Sequence, residues 1–422
     1  MDIIANYGNV LIILAIVFGV FMAWGIGAND VANAMGTSVG SGSVTIKQAI
    51  IIAVIFEFSG AILAGGEVTA TIRKGILDAA LFTNDPHLLV YGMMASLLAA
   101  GGWLLIASSF GWPVSTTHSI VGAIVGFGAV GVGFDAVAWS KVIKIVISWI
   151  ASPILAGVIS FTLFRSLQNL IIDTQNPFNN AKKYVPYYMF LVGFVVSLVT
   201  IFKGLKHVGL SFTTSSSYLL SLGFGLLVAI IGTLMIRNIH LDPDENKDFY
   251  FTSMERVFSV LMIITAAAMA FAHGSNDVAN AIGPLAAIYS VIESGGAIGS
   301  KSALPVWILL VGGVGIVVGL ITYGHRVIAT IGTGITELTP SRGFAATLAA
   351  AATVVIASGT GIPVSTTQVL VGAVLGVGLA RGVAALDTRV INRIFLSWIV
   401  TLPAGGFMSI LFFFALKGAF GA

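Results

Sequence analysis

The chain has 422 residues, 57% of them hydrophobic and 9% charged, with a formal net charge of +3 and no cysteine. Soluble globular domains carry about 25% charged residues, and mean hydropathy here is +1.02, so a soluble enzyme or binding module is excluded. Disulfides and thiolate metal sites are excluded with the cysteines, and long unbroken apolar runs predict an all-α polytopic membrane protein instead of a β-barrel.

The first apolar segment, roughly residues 8–28, lacks a small-residue cleavage pattern and reads as a retained span. It leads into GANDVANAMG at 27–36. Asn29, Asp30 and Asn33 share one helical face by i, i+3 and i, i+4 spacing. A carboxylate at membrane depth costs about 3 kcal/mol and faces a partner or a wet cavity. With Gly25, Gly27 and Gly36 around it, the set predicts a broken helix. Short oxygen-bearing side chains and loosened carbonyls there would hold a hard cation such as sodium. The bland alternative is an N-cap closing a helix start.

The second segment, 47–66, contains Glu57, readable as a cation ligand, a proton site, a partner for Arg73 or Lys74, or a structural hydrogen-bonding group. Arg73, Lys74 and Arg342 are expected to snorkel at interfaces. Segments 88–109 and 112–131 are joined only by 110–112 and form either a re-entrant hairpin or two spans. PVSTT at 113–117 should open a helix, since proline suits the first turn and Ser and Thr suit the cap. Its free N–H groups and the hydroxyls of Ser115, Thr116 and Thr117 make an anion site; ordinary capping is the alternative. His118 follows, as a proton relay or a packing residue. Segments 139–164, 185–202 and 217–236 come next, then the polar DPDENKD at 242–248, read as an aqueous linker.

Segment 254–273 leads into GSNDVANAIG at 274–283, which places Asn276, Asp277 and Asn280 as the first copy places its own. Segments 303–323, 342–358, 361–380 and 390–416 complete the chain. The second PVSTT, at 363–367, brings Ser365, Thr366 and Thr367, with Gln368 where the first copy has His118.

Four blocks recur in order: 274 − 27 = 247 for the Asn-Asp words, 361 − 111 = 250 for the PVSTT blocks, 327 − 68 = 259 for VTATIRKGI and VIATIGTGI, and 397 − 148 = 249 for SWI. The chain therefore reads as a duplication: repeat 1 over 8–164, a linker region with two spans over 165–253, and repeat 2 over 254–416. Whether or not 88–131 is re-entrant, an odd number of crossings precedes repeat 2, so the repeats should be inverted, with a site between them at the midplane. Alternating the loops puts 12 of the 20 Lys and Arg residues on one side, which places both termini outside the cytoplasm. Neither PVSTT nor Asn-Asp blocks contain Lys or Arg. Neutral donors would hold the anion and cations would supply the balancing charge, which favours a cotransporter over an anion channel lined by basic rings.

GANDVAN and GSNDVAN with two PVSTT blocks resemble the PiT family of inorganic phosphate transporters, over nearly the whole chain. The resemblance implies phosphate import with sodium or protons through an inverted-repeat, alternating-access fold. It implies coupling-ion sites at Asp30 and Asp277 accompanied by Asn29 and Asn276. Phosphate-binding turns are implied at Ser115, Thr116, Thr117, Ser365, Thr366 and Thr367, with Asn33 and Asn280 beside them. Glu57 matches an acidic position of the family's second span. Two departures, Gln368 where members often have His and no Glu in GFAATLAA (343–350), remove protonatable groups and favour sodium. The absence of a long soluble central loop fits a prokaryotic protein. The expectation is a sodium–phosphate symporter of the cell inner (plasma) membrane, with proton-coupled phosphate transport or sulfate transport on the same scaffold as rivals. A site for phosphate should contain acceptors for its O–H, which sulfate lacks. An intramembrane enzyme is disfavoured, because no nucleophile–base–orienter set accompanies the aspartates. Expected partners are phosphate, sodium or protons, the lipid bilayer and a second copy in a homodimer, with no nucleic acid and no organic cofactor.

Overall fold

The computed structural model describes residues 3–421 except 111, 113, 203–204, 206–208, 211, 241–246, 299–303, 326–327, 329–337 and 383–387. Gly111, Pro113, the second TATI-like block (327–335) apart from Ile328, and most of the 242–248 linker thus lie outside the described residues. The first half supplies α1 (Ile3–Gly40), α2 (Ile46–Ala64), α3 (Gly66–Lys74), α4 (Pro86–Ser109), α5 (Thr116–Phe127) and α6 (Trp139–Leu167). Helices α7 (Pro177–Phe202) and α8 (Thr214–Arg237) pack on each other between the halves. The second half supplies α9 (Lys247–Glu293), α10 (Val306–Gly319), α11 (Pro340–Gly359), α12 (Thr366–Arg381) and α13 (Thr388–Phe420). No β-strand occurs among the described residues, apart from an isolated bridge between Leu77 and Val137. Helices satisfy every backbone group within the segment, which lipid demands. Ten of the described helical spans are long and apolar enough to cross a membrane.

The two halves interlock. Helix α2 packs on α9 as α10 packs on α1, and α6 packs on α12 as α13 packs on α5. Glycines set these crossings in matched pairs. A Cβ on Gly274 would overlap the Glu57 carbonyl, and one on Gly27 the Ile316 carbonyl. Gly122 meets the Leu402 backbone as Gly372 meets that of Pro153. Such close approach of helix backbones is how membrane helices gain packing without a hydrophobic driving force.

Helices α4 and α5, and α11 and α12, form two hairpins. Their tips touch each other: Thr117 Oγ1 donates to the Val364 carbonyl (3.0 Å) and Thr367 Oγ1 to the Val114 carbonyl (3.3 Å). Equivalent residues of two inverted repeats meet only near the pseudo-twofold axis, which runs in the membrane plane. Both hairpins are therefore re-entrant, and the choice left open for 88–131 falls on the hairpin.

One expectation fails. The Asn-Asp words do not break their helices. Helix α1 runs for 38 residues and α9 for 47, with both motifs in mid-helix. Their flanking glycines serve close helix crossing instead, and their polar side chains find partners on other helices. The chain opens elsewhere: at Gly65 between α2 and α3, and before Thr116 and Thr366.

Candidate functional site

The buried stretches of α1 and α9 carry Asn29, Asp30, Asn33, Asn276, Asp277 and Asn280, all within 3% exposure. The first turns of α5 and α12 face them. Ser115 and Ser365 are the N-caps, in extended conformation, each accepting from the backbone N–H three residues on, His118 and Gln368, at 3.2 Å. The cap leaves the hydroxyl hydrogen of each serine as its free donor. Thr116 Oγ1 donates to Asp30 Oδ2 and Thr366 Oγ1 to Asp277 Oδ2, both at 2.8 Å. The asparagines then tie the halves together. Asn33 Nδ2 reaches Thr367 Oγ1 (2.7 Å), and Asn280 Nδ2 reaches Thr117 Oγ1 (3.2 Å) and Thr116 Oγ1 (3.3 Å). Asn276 Nδ2 donates to Asp277 Oδ1 (2.7 Å) and the Val364 carbonyl (2.8 Å). Asn29 Nδ2 donates to Ser108 Oγ (2.7 Å) at the end of α4.

The arrangement joins two charge types. The first backbone N–H groups of α5 and α12 have no intrahelical acceptors and carry the positive end of each helix dipole. Beside them, Asp30 Oδ1 and Asn280 Oδ1 are buried oxygens without a donor among the described residues. Buried acceptors of that kind have the chemistry to take a hydrogen-bond donor or to ligate a cation.

His273 was missed by the motif reading. Its Nε2 lies 2.9 Å from Asp277 Oδ2 and 4.0 Å from Asp30 Oδ2, and its Nδ1 lies 3.2 Å from Glu57 Oε1. It links Glu57 to both motif aspartates, and all four side chains are fully buried. Ligand atoms of Asp30, His273 and Asp277 all fall within 4.8 Å of one another. His273 escaped because 273 − 247 = 26, and residue 26 is Ile; comparing the repeats highlights shared residues only. The available signal was an ionisable residue in an apolar run, one helical turn before Asp277.

His118 and Gln368 point away from this cluster. Both line a groove on the far side of the helix starts, where His118 packs on Trp149 with ring centroids 3.9 Å apart. Arg73 is buried, 8% exposed.

Comparison with known proteins gives the family. A model of the phosphate transporter family matches residues 26–409. A Haemophilus influenzae protein named "Putative phosphate permease" is 55% identical over 420 residues, covering all of both chains. The chloroplastic inorganic phosphate transporter 2-1 of Arabidopsis thaliana is 44% identical over 414 residues, covering 94% of this chain and 70% of its own. A solved structure titled "The sodium-dependent phosphate transporter" superposes with a TM-score of 0.90 at 40% identity, over 97% of this chain and 99% of that one. Since the family model spans both Asn-Asp motifs and both hairpin tips, the chain belongs to the phosphate transporter family.

Proposed function

We propose that this protein is a symporter that imports inorganic phosphate with sodium ions across the cell plasma membrane, by alternating access between its inverted repeats. One observation carries the reading: mirrored Thr–carboxylate pairs, Thr116–Asp30 and Thr366–Asp277, stand where two helix N-termini converge. In this structure the threonine hydroxyls are directed at the protein's own carboxylates. A sodium ion on each aspartate takes over that negative charge and frees the hydroxyls. They turn to phosphate oxygens together with the N–H groups of the first turns and the hydroxyls of Ser115, Thr117, Ser365 and Thr367. Cation binding thereby raises anion affinity, and by linkage the anion raises cation affinity. Sodium also supplies the positive charge that the donors lack, and Asn29 and Asn276 hold the aspartates' surroundings in place. Asn280 Oδ1, an acceptor without a donor among the described residues, can receive the O–H of hydrogen phosphate. Sulfate has no such proton to give, which favours phosphate.

A second reading, proton coupling, draws on His273. An imidazole with a carboxylate oxygen close to each nitrogen can donate from both when charged, so Glu57, His273 and Asp277 stand in a row along which a proton could be handed. Labelled phosphate uptake into proteoliposomes decides between them. Accumulation driven by a sodium gradient alone supports the first reading. Accumulation driven only by a proton gradient replaces it with the second, and saturable flux with neither gradient overturns symport.

A further inference from the structure

The repeated word SWI, at 148–150 and 397–399, has no part in the site described above, yet Trp149 of α6 reaches both hairpins. It is 4% exposed and stands in the groove behind the helix starts. Its ring packs on His118, in the first turn of α5, with centroids 3.9 Å apart. Its Nε1 donates to the Pro363 carbonyl at 3.2 Å, two residues before the N-cap of α12. Helix α6 is itself fixed against α12, where the Pro153 backbone leaves no room for a Cβ on Gly372. A stacked ring and a rigid crossing thus aim the indole N–H.

The next carbonyl is held from the opposite side. Val364 accepts from Thr117 Oγ1 (3.0 Å) and from Asn276 Nδ2 (2.8 Å), both in the buried cluster. The Pro363–Val364 peptide is trans, and in a planar trans peptide the C=O and the following N–H point in opposite directions. With the Pro363 carbonyl turned out to Trp149, the Val364 N–H is turned inward, to the side of Asn276 and Thr117. Val364 is 1% exposed, and its N–H has no acceptor among the described residues. Buried backbone N–H groups are almost always paired.

We propose that Trp149 is a positioning residue for phosphate: its indole N–H locks the Pro363–Val364 peptide so that the Val364 N–H donates to a phosphate oxygen. The assignment rests on the phosphate reading of the site and adds one donor ahead of the α12 N-cap. Without the indole donor this peptide is free to rotate, and the anion loses the N–H. Only this peptide is released, because Thr71 Oγ1 separately holds the tip at the Gly361 carbonyl (2.6 Å). The Thr366–Asp277 bond lies beyond the N-cap and does not depend on it.

The test measures labelled phosphate uptake by the full chain in proteoliposomes. Replacing Trp149 with benzothienylalanine, whose sulfur stands in place of the indole N–H, keeps the shape and removes the donor. Trp149→Phe removes the donor and part of the ring. Each should raise KM for phosphate roughly tenfold, the worth of one hydrogen bond to a charged group. The maximal rate should stay near wild type, as it does when a binding contact is lost. The sodium concentration that half-maximally raises the unfolding temperature, measured without phosphate, should not move. Thr71→Val removes the neighbouring tip bond and should leave KM near wild type. A wild-type KM in the benzothienylalanine protein overturns the assignment. An equal KM rise in Thr71→Val, or a shifted sodium midpoint, also overturns it and makes Trp149 a packing residue. If the unaltered chain takes up no phosphate, the reading of the site falls and the assignment with it; uptake by that chain with an unmoved KM in the variants overturns the assignment alone.

Discussion

Asp30 and Asp277 occupy equivalent positions in the two repeats but have different neighbours. Asp277 accepts from Thr366, from Asn276 and Asn280, and faces His273 at 2.9 Å. Asp30 accepts from Thr116, keeps Oδ1 unpartnered among the described residues, and has His273 only at 4.0 Å. Removing either charge should weaken sodium binding by about 2–5 kcal/mol, as loss of a buried charge partner does. Sodium-driven phosphate uptake by Asp30→Asn and Asp277→Asn should fall to background, and wild-type rates in proteoliposomes would refute the assignment. The asymmetry has a second consequence. Gly274 meets the Glu57 carbonyl and Gly27 meets that of Ile316, so the α2–α9 crossing carries Glu57 and His273 where the α1–α10 crossing carries Ile316 and Ile26. The fold therefore accommodates an apolar pair at this kind of crossing. Glu57→Ile alone leaves His273 short of a partner and should cost about 3–5 kcal/mol. Adding His273→Ile should recover most of that loss in saturating sodium, which neutralises the aspartates; thermal unfolding of the purified variants reads both effects.

At the scale of helices, glycine decided where sequence reasoning succeeded and where it misled. A glycine beside Asn-Asp in an apolar run is compatible with a broken helix and with a close crossing of two whole ones. Gly27 and Gly274 prove to be crossings, a property of the opposing backbone that no local pattern contains. The inverted duplication was legible because both halves kept the same polar words at nearly constant offsets. The hairpins were not, because parity is the same for zero crossings as for two, and only contact between Thr117 and Val364 settles it. Helix crossings make a direct prediction. Gly274→Ala forces α9 away from the Glu57 backbone, which cannot yield as a side chain can, so it should destabilise by about 1–3 kcal/mol or more. Gly223→Ala in α8, with nothing within 4 Å of the added methyl, should be neutral or stabilising by up to about 1 kcal/mol. Unfolding temperatures in detergent distinguish the two, and equal effects would dismiss the crossing role.

For the whole molecule, the proposed alternating access would require some contacts between the repeats to persist and others to open. Helices α4 and α13 pack along much of their length, with Ser96 Oγ 3.4 Å from Ser409 Oγ. Helices α1 and α11 touch over a much shorter stretch, where Thr37 Oγ1 lies 2.8 Å from Thr347 Oγ1 just beyond the Asn-Asp motif. Separating two hydroxyls and one short contact costs far less than unpacking a full helix pair, so under the proposed mechanism the α1–α11 contact is the one expected to open. The chain has no native cysteine, so engineered pairs can be oxidised without side reactions. Thr37→Cys with Thr347→Cys should cross-link on oxidation, arrest phosphate uptake and recover on reduction. Ser96→Cys with Ser409→Cys should cross-link and leave uptake largely unchanged, because both helices move as one body. Arrest by the second pair and free transport by the first would place the moving boundary between α4 and α13 instead.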